Sequence, residues 1–236
     1  MEYDLRRAPC IHAHFGSNAI REDLIRDSLN MTLDVKRIYL ASRSPRRREL
    51  LKQIGVNFEV VQFREYLPRG ADVDEAPLAG ELPEDYVKRI ACAKAEAGWS
   101  CLVHRRLRRF PVLAADTTVA LEGKIIGKPS KRDHVAAMLT ELSGREHRVL
   151  TAVAIKFDDK MDVSLSTTLV RFKQLTDEEI LRYAAEGEAL DKAGGYAIQG
   201  LAAAFVAGVD GSYSGVMGLP LFESAQLLRN FGYRVL

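Results

Sequence analysis

The sequence lacks the features of membrane, secreted and disulfide-bonded proteins. No stretch approaches the roughly 20 apolar residues that a membrane-spanning helix needs, and the N-terminus shows no apolar block followed by a small-residue cleavage site. The three cysteines form no C-x-x-C pair, and an odd number cannot all pair within one chain. We therefore expect reduced thiols, no membrane partner and a cytoplasmic protein.

An excess of charge of one sign is missing as well. The 34 Lys and Arg residues nearly balance the 32 Asp and Glu residues, so the net charge is +2. Nucleic-acid binders usually depend on a pronounced cationic excess, so we predict no stable binding of nucleic acid. The four arginines between His104 and Arg109 are a local exception. No aromatic residue interleaves with them, which favours a solvated loop over a polyanion site.

Several catalytic motifs are absent from the sequence. It contains no G-x-x-x-x-G-K-[ST] phosphate loop, no G-x-G-x-x-G fingerprint, no G-x-S-x-G elbow and no metal-finger spacing. Neither a P-loop NTPase nor a dinucleotide-binding fold is therefore indicated. What remains is a chain of 236 residues, 47% hydrophobic and 28% charged, which is typical of one large globular domain or two closely packed lobes.

Strand and helix patterns interleave along most of the chain. Apolar and β-branched runs predict strands, near residues 38–41, 57–63, 111–115, 125–126, 148–157, 163–172 and 203–209. Start and stop signals predict helices, near residues 44–55, 83–98, 131–142, 176–187 and 221–230. Helices that alternate with hairpins indicate an α/β fold with a mixed sheet. Residues 1–30 follow no period, so we expect a poorly ordered extension or a non-native start there, with a capping helix over residues 20–29 as the alternative, and a domain over residues 31–236.

The first predicted helix begins with cations, where stability would favour acids. Ser44 is its expected N-cap and Pro45 its first residue, and Arg46, Arg47 and Arg48 follow. The N-terminus of a helix carries a partial positive charge, so three arginines there are unfavourable unless an anion binds. Backbone N–H groups, the Ser44 hydroxyl and the guanidinium groups together would form a phosphate site. A solvated basic turn is the alternative.

Three further polar residues lie at positions where the neighbouring sequence suggests a role in binding or catalysis. Asp116 follows an apolar strand, where a carboxylate can bind a divalent cation, accept a proton from water or simply cap a turn. Lys128 precedes Pro129, which limits where its ammonium group can point, although a surface lysine before a helix is the commoner explanation. Gln199 lies among three glycines, and its amide can read the edge of a flat ligand. For His147 a structural role is favoured, because no adjacent nucleophile requires a base.

Taken in order, these motifs resemble the Maf family of nucleoside triphosphate pyrophosphatases. The motifs that carry the resemblance are Leu40-Ala41-Ser42-Arg43-Ser44-Pro45-Arg46-Arg47, Ala115-Asp116-Thr117, Lys128-Pro129, Ser143-Gly144 with His147 and Thr151, Asp191-Lys192-Ala193-Gly194 through Gln199-Gly200, and Gly218-Leu219-Pro220. The match runs from about residue 38 to the C-terminus. It implies an elongated Maf/ITPase-like α/β fold, with a central mixed sheet flanked by helices, a cleft between two lobes and often a homodimer.

The activity implied by the resemblance is hydrolysis of a nucleoside triphosphate between its α and β phosphates, with a divalent metal, Mg²⁺ or Mn²⁺. In the family, the residue that matches Asp116 is the proton acceptor. The residues that match Arg46, Thr117 and Gln199 select the substrate, and their identities are similar to those of the subgroup acting on dTTP and UTP. The sister subgroup acting on 7-methyl-GTP has a bulky aromatic residue, a glutamine and a glutamate there.

The resemblance and the local chemistry together give a hypothesis for the site. Hydrolysis at the α-phosphorus requires neutralising roughly four negative charges and positioning a water. The predicted phosphate ligands are Ser44, Arg47, Lys94 and Lys128. The predicted catalytic residues are Asp116 and Lys128, and the predicted metal ligands are Glu65 and Asp116. The chain has no pair of adjacent acids at Glu65 and its following loop is longer than in the family, so Asp72, Asp74 and Glu75 are the alternatives to Glu65.

Two other functions remain open at the level of sequence. The family's association with septum formation suggests a nucleotide-binding regulator of cell division with little turnover. A pyrophosphatase for other modified nucleotides, such as 7-methyl-GTP, is the second. Pyrophosphate release separates the regulator from the enzyme, and a panel of nucleotides separates the two enzymes.

Overall fold

The computed structural model describes residues 37–62, 73–233 and 235, so the predicted extension over residues 1–30 lies outside the described residues. In this part of the chain seven strands form one sheet, namely β1 (Ile38–Leu40), β2 (Phe58–Val60), β3 (Val112–Leu121), β4 (Lys124–Ile126), β5 (Glu146–Phe157), β6 (Lys160–Phe172) and β7 (Val206–Asp210). The α-helices there are α1 (Pro45–Gln53), α2 (Pro83–His104), α3 (Arg132–Leu142), α4 (Asp177–Glu186), α5 (Tyr213–Met217) and α6 (Leu221–Asn230). None of these helices combines the length and apolarity needed to cross a membrane.

Local sequence signals explain where helix α4 begins and ends. The Thr176 hydroxyl accepts a hydrogen bond from the Glu179 N–H at 3.2 Å, and the Glu179 carboxylate accepts one from the Thr176 N–H at 3.0 Å. This reciprocal pair is a capping box, which satisfies two N–H groups that the helix cannot. The helix ends at Gly187, whose φ of 75° suits glycine. Both ends of α4 are where the sequence predicts them.

The sheet is mixed, as predicted. Its strand order is β2-β1-β3-β5-β6-β7, and β4 pairs with the far end of β3. β1 is parallel to both β2 and β3, whereas the other pairs are antiparallel. The α/β fold with a central mixed sheet flanked by helices is therefore confirmed.

Side chains alternate between the two faces of the sheet, and each face has its own apolar packing. On one face α2 covers the central strands through residues such as Val87 and Ile90, which are fully buried. The other face carries two separate apolar clusters. One contains Leu51 of α1 with α6, and the other contains Leu139 of α3 with Ile180 of α4. Each fully buried Leu or Ile side chain contributes roughly 1.5–3 kcal/mol.

Several predicted element boundaries were wrong, among them those of β3, α2 and β7. β3 continues to Leu121, so Asp116 lies in the middle of a strand and not after its end. α2 continues to His104, beyond the predicted end at residue 98. Leu201–Phe205 form a 3₁₀ helix, so β7 starts only at Val206. For β3, contacts with distant parts of the chain, such as the one between Lys94 and Asp116, override the local propensity.

Candidate active site

Several of the predicted site residues meet at a gap along one edge of β3. On this edge β1 pairs with β3 as far as Leu113, whose carbonyl also accepts a hydrogen bond from the Ala41 N–H. β4 joins the same strand from Val119 onward. Between these points no strand in the described part of the chain pairs with this edge. Asp116 and Thr117 lie in this gap. Because successive side chains of a strand point to opposite faces, the Asp116 side chain lies on one face of the sheet and the Thr117 side chain on the other.

Beside this gap lie two carboxylates and two ammonium groups, the acid–lysine cluster of Glu75, Lys94, Asp116 and Lys128. Lys94 Nζ is 2.7 Å from Asp116 Oδ1 and 2.7 Å from Glu75 Oε1. Lys128 Nζ is 3.0 Å from Glu75 Oε2. Lys94 and Asp116 are only 7% and 4% exposed. Charges so far removed from water require partners, and the cluster balances two negative charges with two positive ones.

The ionisation of the cluster follows from these contacts. Burial would raise the pKa of Glu75, but the ammonium groups of Lys94 and Lys128 outweigh it and lower the pKa to about 2. Burial would lower the pKa of Lys128, but Glu75 and Asp116 raise it above its ordinary value, against the opposing charge of Arg47. Glu75 and Lys128 therefore stay charged at neutral pH. Arg47 lies close enough to influence the same ammonium group.

Arg47 connects the start of α1 with β3 and with the loop before α6. Its Nε donates to the Gly218 carbonyl at 2.7 Å, and its Nη2 lies 3.4 Å from Thr117 Oγ1. The Thr151 hydroxyl lies 3.0 Å from the same Thr117 oxygen and 2.7 Å from the Gly215 carbonyl. The guanidinium group predicted to bind phosphate is therefore held at the edge of β3. Sequence reasoning did not find its role in fixing the loop, because Gly218 is 171 positions away along the chain.

The neighbours of Arg47 take different positions. Ser44 occupies the N-cap position of α1 as predicted, but its side chain makes no capping hydrogen bond. Arg48 Nη2 donates to the Arg43 carbonyl at 2.9 Å, so this guanidinium group closes the loop before the helix. The three arginines therefore do not act as one patch.

Arg46 faces the glycine-rich loop that follows α4, residues 191–200. Burial would raise the pKa of Asp191 in this loop, but Lys192 and, to a smaller extent, Arg46 lower it below its ordinary value. Arg46 is half-buried, and its Nε is buried without a hydrogen-bond partner among the described residues. Its charge therefore lies between the start of α1 and the loop that carries the predicted nucleoside contacts.

The glycine-rich loop approaches β3 closely. The Gly194 N–H donates to the Gly127 carbonyl at 3.0 Å, which brings the loop to the residue before Lys128. Gly194 has a φ of 71°, and a Cβ atom at this position would come within 2.7 Å of a Val119 methyl group. Only glycine permits this conformation and this approach together. Gln199, farther along the loop, is exposed.

Glu75 is the acid that joins the two lysines, and sequence reasoning gave it only as an alternative to Glu65. Glu65 and Asp72 lie outside the described residues, so the metal ligand predicted at Glu65 stays a prediction. Asp74 is exposed, and its Oδ1 accepts a hydrogen bond from the Ala76 N–H at 2.9 Å. The signal that could have identified Glu75 is that Asp74 and Glu75 are adjacent acids. They follow the second strand at a greater distance along the sequence than expected for the family's acid pair.

His147 lies in an aromatic cluster with Phe172 and Tyr196. It is 2% exposed, its Nε2 lies 2.8 Å from the Tyr196 hydroxyl, and its ring packs edge-on against Phe172 at 4.9 Å. Its Nδ1 is buried without a hydrogen-bond partner among the described residues. Burial lowers the pKa of His147 to about 4, so the ring is neutral at physiological pH. These contacts favour the structural role.

The burial of His147 leads us to predict that the stability of the protein depends on pH. Its pKa rises from about 4 in the folded state to 6.5 when it is exposed, so between these values the unfolded state binds more protons. The free energy of unfolding should therefore fall as the pH drops from 6.5 towards 4, by at most about 3 kcal/mol from this residue. In His147→Gln, whose amide can still hydrogen-bond the Tyr196 hydroxyl and is not protonated in this pH range, this part of the slope should disappear. Urea unfolding of the wild type and of His147→Gln at about pH 7.5 and about pH 5 measures this difference. An equal fall of the unfolding free energy in both proteins would contradict the prediction.

Comparison with known proteins gives consistent matches over the described domain. A family model for Maf-like proteins matches residues 37–231. The dTTP/UTP pyrophosphatase of Nitrosomonas europaea is 58% identical over 198 residues, which cover 84% of this chain and 96% of that protein. The dTTP/UTP pyrophosphatase of Nitrosospira multiformis is 56% identical over 205 residues, which cover 87% of this chain and 99% of that protein.

Two further comparisons involve a curated relative and a solved structure. The dTTP/UTP pyrophosphatase of Aromatoleum aromaticum is 58% identical over 198 residues, or 84% of this chain and 96% of that protein. The structure of the Staphylococcus aureus Ham1 protein is 19% identical, with a TM-score of 0.41 over 58% of this chain and 72% of that one. The family model and the curated relatives both span most of the chain, and the chain belongs to the Maf family.

Proposed function

We propose that this protein is a nucleoside triphosphate pyrophosphatase that hydrolyses dTTP and UTP to the nucleoside monophosphate and pyrophosphate. Several relatives that are 48–58% identical carry the name dTTP/UTP pyrophosphatase. The observation that carries the proposal is the acid–lysine cluster beside the arginine-bearing start of α1. Its two lysines and Arg47 supply cations for a polyphosphate, and its carboxylates supply a proton acceptor.

The chemistry follows from charge and position. A nucleoside triphosphate brings roughly four negative charges, and most of the catalysis of phosphoryl transfer is positioning and electrostatic stabilisation. Lys128, which is half-exposed, and the guanidinium group of Arg47 would bind the phosphate oxygens. The Asp116 carboxylate would accept a proton from the attacking water. Lys94, which contacts Asp116 and Glu75 together, would hold the two carboxylates in place and add positive charge at the reacting phosphate.

The donor set also suits a divalent metal. Mg²⁺ is commonly held by one or two carboxylates together with substrate phosphates and water, and Mn²⁺ accepts similar oxygen ligands. Asp116 and Glu75 both contact Lys94 Nζ and so lie within reach of one ion, while no group of three metal-binding residues occurs in the described part of the chain. Asp116 and Glu75 would hold the metal, with Glu65 as a further predicted ligand. When bound, the metal would neutralise phosphate charge and lower the pKa of a bound water.

The test is a measurement of products. Purified protein with Mg²⁺ or Mn²⁺ is incubated with dTTP, UTP, CTP and 7-methyl-GTP, and pyrophosphate and orthophosphate are measured separately. We expect pyrophosphate from dTTP and UTP. Binding of these nucleotides without release of pyrophosphate, and with the same affinity in Asp116→Asn, would instead support a regulator with little turnover.

Arg46→Trp should change the substrate profile. The guanidinium of Arg46 lies beside the glycine-rich loop, where it can donate several hydrogen bonds to a pyrimidine nucleotide, whereas an uncharged indole ring offers a single N–H donor. We expect kcat/KM for dTTP and UTP to fall at least about tenfold, with a smaller change in thermal stability. Arg182→Trp, at an exposed position of α4, is the matched control and should behave like the wild type. An unchanged profile in Arg46→Trp would remove Arg46 from substrate selection.

The remaining predictions about partners are independent of the activity. Two arginines of the basic segment after α2 already contact other parts of the protein. Arg105 Nη2 donates to the Gln62 carbonyl at 3.2 Å, and Arg109 lies 3.9 Å from Asp158. Weak RNA affinity with little salt dependence is expected. The homodimer and the cytoplasmic location stay predictions, and sedimentation equilibrium measures the first.

A further inference from the structure

The segment that carries Glu75 is fastened to helix α2 by side chains outside the acid–lysine cluster. The Tyr86 hydroxyl donates to the carbonyl of Glu75 at 3.0 Å. Arg89 Nη2 donates to the next carbonyl, that of Ala76, at 3.0 Å. Tyr86 and Arg89 are three positions apart, so they lie on the same face of the helix, and the Arg89 guanidinium lies 5.6 Å from the centre of the Tyr86 ring.

Arg89 also binds the C-terminal end of this segment. Its Nε donates to Glu81 Oε1 at 2.6 Å, and its Nη2 donates to Glu81 Oε2 at 2.7 Å, so the two groups form a bidentate pair. Glu81 Oε2 in turn accepts a hydrogen bond from the Leu78 N–H at 3.0 Å. One guanidinium group therefore holds residues 76 and 81 together, and the residues between them form a closed loop on α2.

The same helix holds the backbone of Glu75 and contacts its carboxylate. Tyr86 and Arg89 fix the backbone, and Lys94, farther along α2, is 2.7 Å from Glu75 Oε1. Because these contacts come from one helix, the Glu75 carboxylate has a fixed position relative to Lys94, which in turn contacts Asp116 at 2.7 Å. Catalytic geometry is sensitive to displacements of about 1 Å, so loosening this attachment should reduce the rate.

We propose that Arg89 is a positioning residue that acts through Glu75, by clamping Glu81 and the Ala76 carbonyl so that the Glu75 carboxylate stays in the acid–lysine cluster. This inference depends on the proposed function, because it assigns Glu75 a part in that reaction. Arg89 itself is bonded to Glu81 and to a main-chain carbonyl, and is not expected to contact the nucleotide.

The test is a double-mutant cycle on pyrophosphate release from dTTP. Arg89→Met should lower kcat about tenfold, and Arg89→Lys should lower it too, because an ammonium group cannot make the bidentate pair. In a Glu75→Gln background, Arg89→Met should lower kcat by less than about a further twofold, since the carboxylate that Arg89 positions is already replaced. Arg37→Met is the matched control, because it removes another Arg–Glu pair, with 2.9 Å between Arg37 Nη1 and Glu59 Oε1, away from the site.

Losses that multiply in the double variant, or full activity of Arg89→Met, would overturn the proposal. If Arg89→Met does not fold, Glu81→Gln takes its place in the cycle with the same expectations. A wild-type protein that releases no pyrophosphate would refute the proposed function. The positioning claim is then decided by hydrogen exchange at the Leu78 and Glu81 amides, whose hydrogen bonds lie inside the clamped loop. Faster exchange in Arg89→Met than in Arg37→Met would support the clamp, and unchanged exchange would overturn it.

Discussion

Asp116→Asn is expected to lower the rate of pyrophosphate release from dTTP by about 10³-fold, since general acid–base catalysis typically contributes 10²–10⁴-fold. Asparagine has nearly the same shape as aspartate, and its carbonyl oxygen can still accept a hydrogen bond from Lys94. The substitution removes the negative charge and the ability to accept a proton. Lys94 keeps its ion pair with Glu75 at 2.7 Å, so the loss of stability should be smaller than when Lys94 itself is replaced. We therefore expect a large loss of activity with a smaller change in stability, measured by steady-state kinetics and thermal unfolding.

A matched control separates loss of the base from loss of charge in general. Asp158→Asn changes an aspartate whose side chain is 65% exposed in the turn between β5 and β6, and its φ of 53° is also acceptable for asparagine. This variant should keep wild-type activity. An Asp116→Asn protein that retains more than about a tenth of the wild-type rate would show that another group accepts the proton, or that a metal lowers the pKa of the attacking water enough for no protein base to be needed.

Lys94→Met is expected to reduce both stability and activity. Its ammonium group lies 2.7 Å from a carboxylate oxygen of Asp116 and 2.7 Å from one of Glu75. Methionine fills a similar volume but leaves the Asp116 carboxylate, at 4% exposure, without this partner. Removing one member of a buried ion pair typically costs about 3–5 kcal/mol, so the free energy of unfolding should fall by about 3 kcal/mol. Loss of a cation facing the phosphates should lower kcat by about 10²-fold or more.

Urea denaturation and steady-state kinetics on the same preparations measure the two effects of Lys94→Met. Lys124→Met is the control, because the Lys124 side chain is 70% exposed and its pair with Glu141 is on the surface. Surface pairs contribute about 0–1 kcal/mol, so this variant should unfold like the wild type. A Lys94→Met protein with unchanged unfolding free energy would mean that the ion pairs of the cluster do not stabilise the fold. Unchanged kcat would mean that Lys94 has no part in the reaction.

The sequence predicts the elements whose signals lie within a few residues. The capping box of Thr176 and Glu179 and the left-handed Gly187 fix both ends of α4, because each contact is made inside one turn of helix. The β5–β6 hairpin follows from two β-branched runs flanking a short turn, although its strands are longer than predicted. These features depend on neighbouring residues, so the sequence alone determines them.

The prediction was wrong where polar residues continue a buried strand. Asp116 and Thr117 look like the end of β3 in the sequence, since a polar residue in a buried strand is unfavourable without partners. Their partners come from elsewhere in the chain: Lys94 bonds to Asp116, and Arg47 and Thr151 contact Thr117. The strand therefore continues to Leu121.

The family, the mixed α/β fold and the set of charged and polar residues of the site can all be predicted from the sequence, because residue types and short-range spacing set local conformation and chemistry. Three features of the site become visible only in the folded chain. Glu75 joins Lys94 and Lys128, Arg47 also anchors the loop at Gly218, and no strand of the described residues pairs with β3 beside Asp116. A buried charge, in contrast, is stabilised only by the partner that folding brings within about 3 Å, and that partner can be anywhere in the chain.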